Sequence, residues 1–277
     1  MDISFEVYPP RSAADGPRLK EAIIKLAQLD PRFISVTFGA GGSSTKNSLD
    51  VLKFIRTNTD AKPLAHLTCV GTSESEASGL VKEFVSEGIT DFLALRGDLP
   101  PGEISLPEGA LARADQLVSL IRGAGISGGT IGVAAFPNGH PESGAERTDI
   151  DALLAKQAAG ADFAITQLFF HVEDYLSFLE LARSRGVSIP LIPGIMPIVS
   201  TSRLRRVLEL TGEREPVELA RELTQASDRA GQVEVGINWA ANQIQELVKA
   251  GIGAVHLYAF NEYKQVTSVL QRSGVRS

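Results

Sequence analysis

A single carboxylate, Glu6, sits inside the apolar run Ile3-Ser4-Phe5-Glu6-Val7-Tyr8, and Pro9-Pro10 ends that run at once. A glutamate in such a strand is either solvated at the strand end or held in a partly dry pocket. In the second case desolvation raises its pKa, and the group can give up a proton near neutral pH. Polar side chains recur at the ends of later apolar runs: Thr37 ahead of Gly39-Ala40-Gly41-Gly42-Ser43, His66 with Thr68, Arg96-Gly97-Asp98, His140 after Phe136, Thr166-Gln167, and Tyr258 with Asn261. Taken one at a time these are weak signals. The glycines match no complete phosphate loop, Arg96 and Asp98 could be a surface ion pair, and Gln167 could simply satisfy backbone groups. The four histidines show no His-Glu-x-x-His or similar spacing, so no metal site is expected. A Schiff-base aldolase would want a lysine at a strand end, and none is offered, because Lys62 precedes its strand.

Composition narrows the partners. The 277 residues carry a net charge of −6, and no basic block or stripe occurs, which argues against nucleic acid and anionic membrane. A small anionic ligand held by local Arg and Lys remains compatible. The one cysteine, Cys69, excludes an intrachain disulfide and lies in an apolar run that suits a structural thiol. There is no charged-then-apolar leader and no run long enough to span a membrane, so the expected compartment is the cytoplasm.

The elements that must position these groups follow from periodicity. Eight short runs rich in Val, Ile, Leu and Phe read as strands: 3–8, 33–38, 63–70, 91–95, 131–136, 163–169, 189–195 and 254–260. They show little alternation, as parallel strands buried on both faces do. Helical stripes fill the gaps, with a capping box at Ser73 and Glu76. About three helical patterns occupy the long stretch from Thr201 through Val248. Eight βα units in this length predict a TIM (β/α)8 barrel over residues 1–277, one catalytic domain with extra helices between strands 7 and 8. The polar strand ends would then converge on one barrel mouth. An open doubly wound sheet lacks its Gly-rich first turn here.

Several segments together resemble the 5,10-methylenetetrahydrofolate reductase family. They are Ile3-Ser4-Phe5-Glu6 with Pro9-Pro10-Arg11, Ser35-Val36-Thr37-Phe38-Gly39-Ala40, His66-Leu67-Thr68-Cys69, Ala94-Leu95-Arg96-Gly97-Asp98-Leu99-Pro100-Pro101-Gly102, Ala164-Ile165-Thr166-Gln167, Pro193-Gly194-Ile195-Met196-Pro197 and His256-Leu257-Tyr258. The resemblance implies a TIM barrel that reduces 5,10-methylenetetrahydrofolate to 5-methyltetrahydrofolate with NADH or NADPH, in one-carbon and methionine metabolism. It implies that Glu6 is the general acid that protonates N10, that Asp98 contacts the pterin, that Gln167 touches folate and nicotinamide, and that Thr37 holds the nicotinamide nucleotide. Tyr258 and Arg203 fall on the substrate side. His66, Arg96, Gly97, Asp98, His140, Asp149 and Lys156 fit flavin-contacting positions, since FAD relays the hydride in the family.

Other positions depart from that pattern. Phe136 and Arg113 stand where tyrosines are usual, and Ala152 and Ala155 stand where the bacterial pattern places Asn and Arg near the flavin diphosphate. Glu262 occupies a usual arginine position, and Arg203 a glutamine position. Losing two polar phosphate contacts, each worth about 1.5–3 kcal/mol when charge-assisted, predicts weak or absent FAD binding and direct hydride transfer. The same reaction relayed through FAD, and a non-catalytic folate-binding barrel, are the alternatives.

Overall fold

The apolar runs are short and rich in Val, Ile, Leu and Phe, and the chain buries both their faces by closing a sheet on itself. The structure, a computed structural model, describes residues 1–10, 12–38, 45–70, 72–97, 109–126, 128–140 and 147–276. Eight parallel strands, β1 (Asp2–Val7), β2 (Phe33–Val36), β3 (Lys62–Thr68), β4 (Asp91–Leu95), β5 (Ile131–Ala135), β6 (Phe163–Leu168), β7 (Leu191–Ile195) and β8 (Ala254–Tyr258), form a closed barrel in chain order. Five residue pairs, Asp2 to Ala254 through Glu6 to Tyr258, join β8 back to β1. The barrel matches the sequence expectation. Several strands end one or two residues earlier than expected, with Tyr8, Phe136, Phe169 and Phe260 beyond the ladder.

The outer layer contains α1 (Gly16–Ala27), α2 (Thr45–Asn58), α3 (Glu74–Ser86), α4 (Ala114–Gly123), α5 (Thr148–Ala158), α6 (Val172–Ser184) and α10 (Tyr263–Ser273). Between β7 and β8 run α7 (Thr201–Thr211), α8 (Val217–Gln225) and α9 (Arg229–Lys249), the three patterns foreseen there. The capping box forms as expected: Glu76 N donates to Ser73 Oγ at 3.3 Å and Ser73 N donates to Glu76 Oε2 at 2.9 Å. Ser200 caps α7 by accepting from Arg203 N at 3.1 Å, which fixes Arg203 in the first turn above the barrel.

The strands do alternate, contrary to the reading of uniform apolarity. Ile3, Phe5 and Val7 of β1 and Val255 and Leu257 of β8 pack into the cluster shared with the helices. The residues between them, Ser4, Glu6 and His256, are buried polar groups on the opposite, inward face. A separate apolar cluster of Phe33, Leu64, Leu93, Phe163, Ile165 and Ile192 fills the interior from β2, β3, β4, β6 and β7. Beyond this plug the interior turns polar toward the C-terminal ends of the strands, with Ser4, Ser35, His66, His256 and Glu6 all buried.

Gly194 on β7 permits a close approach that this layer needs. A Cβ there would lie 2.3 Å from Thr166 O and 2.7 Å from the Tyr258 ring. Gly194 N also donates to Thr166 Oγ1 at 2.9 Å, locking β7 to β6. Gly194→Ala is therefore expected to cost about 1–3 kcal/mol or more in urea unfolding, because one of the opposing atoms is backbone and cannot rotate away.

Candidate active site

Glu6 is only 6% exposed and His66 3%, while His256 is fully buried. All three reach the interior, Glu6 and His256 from the adjacent strands β1 and β8 and His66 from β3, one strand further round. His66 Nε2 lies 3.6 Å and His256 Nε2 4.0 Å from the same carboxylate oxygen, Glu6 Oε2. His256 Nδ1 is 2.9 Å from Ser4 Oγ. When Ser4 donates there, the Nε2 proton of His256 points at Glu6. The Phe33 ring stacks on His256 at 5.8 Å, and Tyr258 meets its edge at 5.2 Å.

The electrostatics correct one expectation. Burial does push the Glu6 carboxyl up, but the facing His256 and His66 imidazoles and the Tyr8 hydroxyl outweigh it, and Glu6 sits below the ordinary carboxylate value. The raised pKa read from its apolar neighbours does not hold for the ligand-free protein, because those neighbours in sequence point away from it. Burial pushes His66 down, toward the neutral ring. Tyr258 is pushed well up by burial and by Glu6, so its phenol stays protonated and donates to Thr166 O at 2.8 Å.

The rim of the mouth is built from the other strand ends. Thr37 Oγ1 donates to Val7 O at 3.1 Å, tying β2 to β1. Cys69 N and Val70 N donate to Leu95 O and Arg96 O at 3.1 and 2.8 Å, extending β3 along β4. Gly97 then turns with φ +82°, and its Cα faces the Thr68 side chain so closely that a Cβ would meet it at 3.1 Å. Cys69 is buried as a structural thiol, and burial pushes its pKa up. Gln167 Oε1 accepts from Leu168 N at 3.0 Å, the backbone role weighed for it, while the side chain remains half-buried at the end of β6. Phe169 and Phe170 do not line the mouth; both are core, Phe169 stacked on Tyr175 at 5.5 Å. Asp98 lies outside the described residues.

At the β8 end, Phe260 and Asn261 both adopt left-handed backbone, φ +48° and +61°. The strain, about 1–2 kcal/mol per residue, is held by Asn261, whose amide accepts from Tyr8 N at 2.9 Å and donates to Tyr8 O at 3.0 Å. Phe260 stacks on Tyr8 at 5.1 Å, and Arg203 lies over the other side of the assembly, 4.7 Å from the Phe260 centroid. Glu262 is paired with Arg18 and also acts on the Arg203 guanidinium, whose pKa burial pushes down against that pull.

The methylenetetrahydrofolate reductase family profile matches residues 1–274. The chain belongs to the methylenetetrahydrofolate reductase family. It is 33% identical to the 5,10-methylenetetrahydrofolate reductase of Escherichia coli (strain K12) over 277 residues, covering all of this chain and 92% of that one. It is 31% identical to methylenetetrahydrofolate reductase (NADH) 1 of Arabidopsis thaliana over 98% of this chain and 48% of that one. Among solved structures, a Clostridium thermocellum protein described as binding two copies of 5-methyl-5,6,7,8-tetrahydrofolic acid shares the fold, with a TM-score of 0.66, 12% identity and coverage of 99% and 94%.

Several positions to which the resemblance gives a flavin contact make contacts within the chain. Asp149 is closed on Arg147 by two 3.0 Å contacts, and Arg147 also donates to Phe136 O at 3.0 Å. Lys156 turns inward and donates to Ala134 O at 3.0 Å. Arg147 is thus engaged by a carboxylate and a carbonyl and Lys156 by a carbonyl, and Ala152 and Ala155 are exposed without a polar atom in their side chains. His140 packs edge-on against Phe136 at 4.7 Å. Arg113, expected near the flavin, is exposed and paired with Asp115. The described part of α5 thus does not fit a flavin diphosphate. His66 differs in kind: it belongs with Glu6 inside the barrel. Ser4, Ser35 and His256 were not singled out from sequence, although the period-2 spacing of Ser4 with Glu6 and of His256 with Tyr258 carries the signal.

Burial pushes Lys156 down to about 8 from 10.5, against the pull of Asp115 and Asp149. Below pH 8 both folded and unfolded chains hold the proton and the burial penalty is complete. Between about 8 and 10.5 the unfolded chain binds more protons, so stability rises with pH. Wild type should therefore gain roughly 2–3 kcal/mol relative to Lys156→Met in denaturant titrations between pH 7 and pH 10.5.

Proposed function

We propose that this chain reduces 5,10-methylenetetrahydrofolate to 5-methyltetrahydrofolate with NADH, the hydride passing directly from nicotinamide to folate. The observation that carries this reading is the pairing of a sealed acid cluster around Glu6 with an α5 surface whose cations are already engaged. Family membership supports the reaction; the inward Lys156 and the closed Arg147–Asp149 pair support the absence of a flavin relay. NADH is preferred over NADPH, in line with the Arabidopsis relative's description.

Glu6 gives its proton to N10 as the bond from N10 to the bridging carbon breaks, its electron pair staying on N10. The N5 lone pair then forms an iminium with that carbon, and hydride from NADH adds to it, leaving a methyl group and NAD+. One proton and one hydride are consumed, which balances the reduction. Because Glu6 is ionised in the open site, it takes up its proton when the pterin covers it and removes the remaining solvent. Asp98 is assigned to the pterin and the iminium charge, Gln167 to folate and nicotinamide, Thr37 to the nicotinamide nucleotide, Tyr258 to the substrate's ring system, and Arg203 to its anionic tail. Residues 1–277 act as one catalytic barrel with small-molecule partners.

Anaerobic assays of the purified protein should show NADH consumption that requires methylenetetrahydrofolate and does not require FAD, with no flavin band in its absorbance spectrum. A near-stoichiometric flavin band, or turnover only after FAD is added, would overturn direct transfer. Binding of folate without any turnover would favour the binding-protein alternative. Glu6→Gln should keep folate binding and lose about 10²–10⁴-fold in turnover; near-normal turnover would remove Glu6 from the acid role.

A further inference from the structure

Burying a polar atom without a partner costs about 1–3 kcal/mol, and proteins rarely tolerate it without a use. Among the described residues, both ring nitrogens of His66 are buried and lack a hydrogen-bond partner, as do His256 Nε2 and Ser35 Oγ. Two of these atoms, His66 Nε2 and His256 Nε2, face the same Glu6 oxygen; Trp239 Nε1 is also unpartnered. On the flavin-contacting pattern His66 would be expected at a cofactor surface, yet its side chain is 4% exposed and its Nε2 lies 3.6 Å from Glu6 Oε2. That separation is just beyond a hydrogen bond, and a small side-chain rotation would close it.

We infer that His66 is a positioning residue for Glu6, gripping the carboxyl from inside the barrel, and that it does not face a cofactor. This deepens the proposed function and rests on its assignment of Glu6 as the acid. The titratable groups that face Glu6 are Tyr8 just past the end of β1, His66 from β3, and His256 and Tyr258 from β8. Those acting on His66 are Glu6 and His256. His256 is already fastened to Ser4 at 2.9 Å, so its ring is fixed from behind. His66 has no such anchor and is the partner able to move with Glu6. In the open site the imidazoles favour the carboxylate. When the folate closes over the mouth, a proton enters the pair, Glu6 passes it to N10, and the carboxylate left behind returns to the His66 contact. His66 needs no net change of charge over the cycle.

A merely structural histidine and a positioning one differ in what leucine does. His66→Leu removes two unpartnered buried nitrogens, so the inference expects an equal or higher melting temperature together with impaired chemistry. The decisive readout is the titration of the Glu6 carboxyl by infrared difference spectroscopy, with Glu6→Gln as the blank. The midpoint should move upward in His66→Leu, because burial then acts with less opposition, and should return toward wild type in His66→Gln, which restores a polar partner. The turnover number of His66→Leu should fall by about tenfold or more, with KM for methylenetetrahydrofolate changed by less than about twofold. An unchanged Glu6 midpoint in His66→Leu, or a lowered melting temperature with an unaltered pH profile, would overturn the inference. If wild type shows no turnover, the proposed function fails, while the infrared midpoint still decides the role of His66.

Discussion

A carboxylate inside a parallel barrel is the constraint around which the interior is arranged. An ionised group removed from water is sustained only where polar partners replace its hydration. Glu6 has its partners on two other strands, His66 on β3 and His256 on β8, with Tyr8 closing from just past the end of β1. That requirement explains why the interior is apolar at one end and polar at the other. The plug of Phe33, Leu64, Leu93 and Phe163 keeps water out from below, so that the partners of Glu6 act across a dry gap. It also explains why so small a residue as Gly194 is needed beside Tyr258: the ring must lie flat against β7 to present its phenol to Thr166.

The closed sheet also separates two sets of groups. Glu6, His66 and His256 come from within the barrel, each on a strand bonded on both sides. Groups that would hold the nucleotide and the folate come from the strand ends and from α5 and α7, where the chain is freer to differ between relatives. At α5 and its N-cap, Lys156 is turned to a carbonyl and Arg147 to a carboxylate. Loss of affinity at one ligand site can therefore occur without disturbing the acid.

Much of this was legible in the chain. The eight runs, the three added helices before β8 and the cap at Ser73 follow from local pattern, and the family follows from segments such as Arg96-Gly97-Asp98. The direction of the Glu6 titration was not legible, because it depends on His66 and His256, which lie 60 and 250 residues away and reach it only through barrel register. Counting apolar residues in 3–8 suggested a dry pocket; it could not show that Ile3, Phe5 and Val7 face the helices while Glu6 faces imidazoles. The direction of an aromatic at a strand end is equally hidden from local pattern, since it can turn outward to the core or inward to a ligand; Phe169 and Phe170 both turn to the core.

The Asn261 amide spans 253 positions to reach Tyr8, and Phe260 caps the same tyrosine from the last strand. The first strand therefore cannot be finished until the final one arrives. During synthesis or refolding, a chain that has made seven strands still has Glu6 open to water, without His256, Tyr258 or the left-handed turn that clamps Tyr8. Such long-range closure is slow to form. The surroundings of Glu6 thus come into being only with the seam of the barrel, and a partly assembled molecule leaves that carboxylate among water instead of imidazoles.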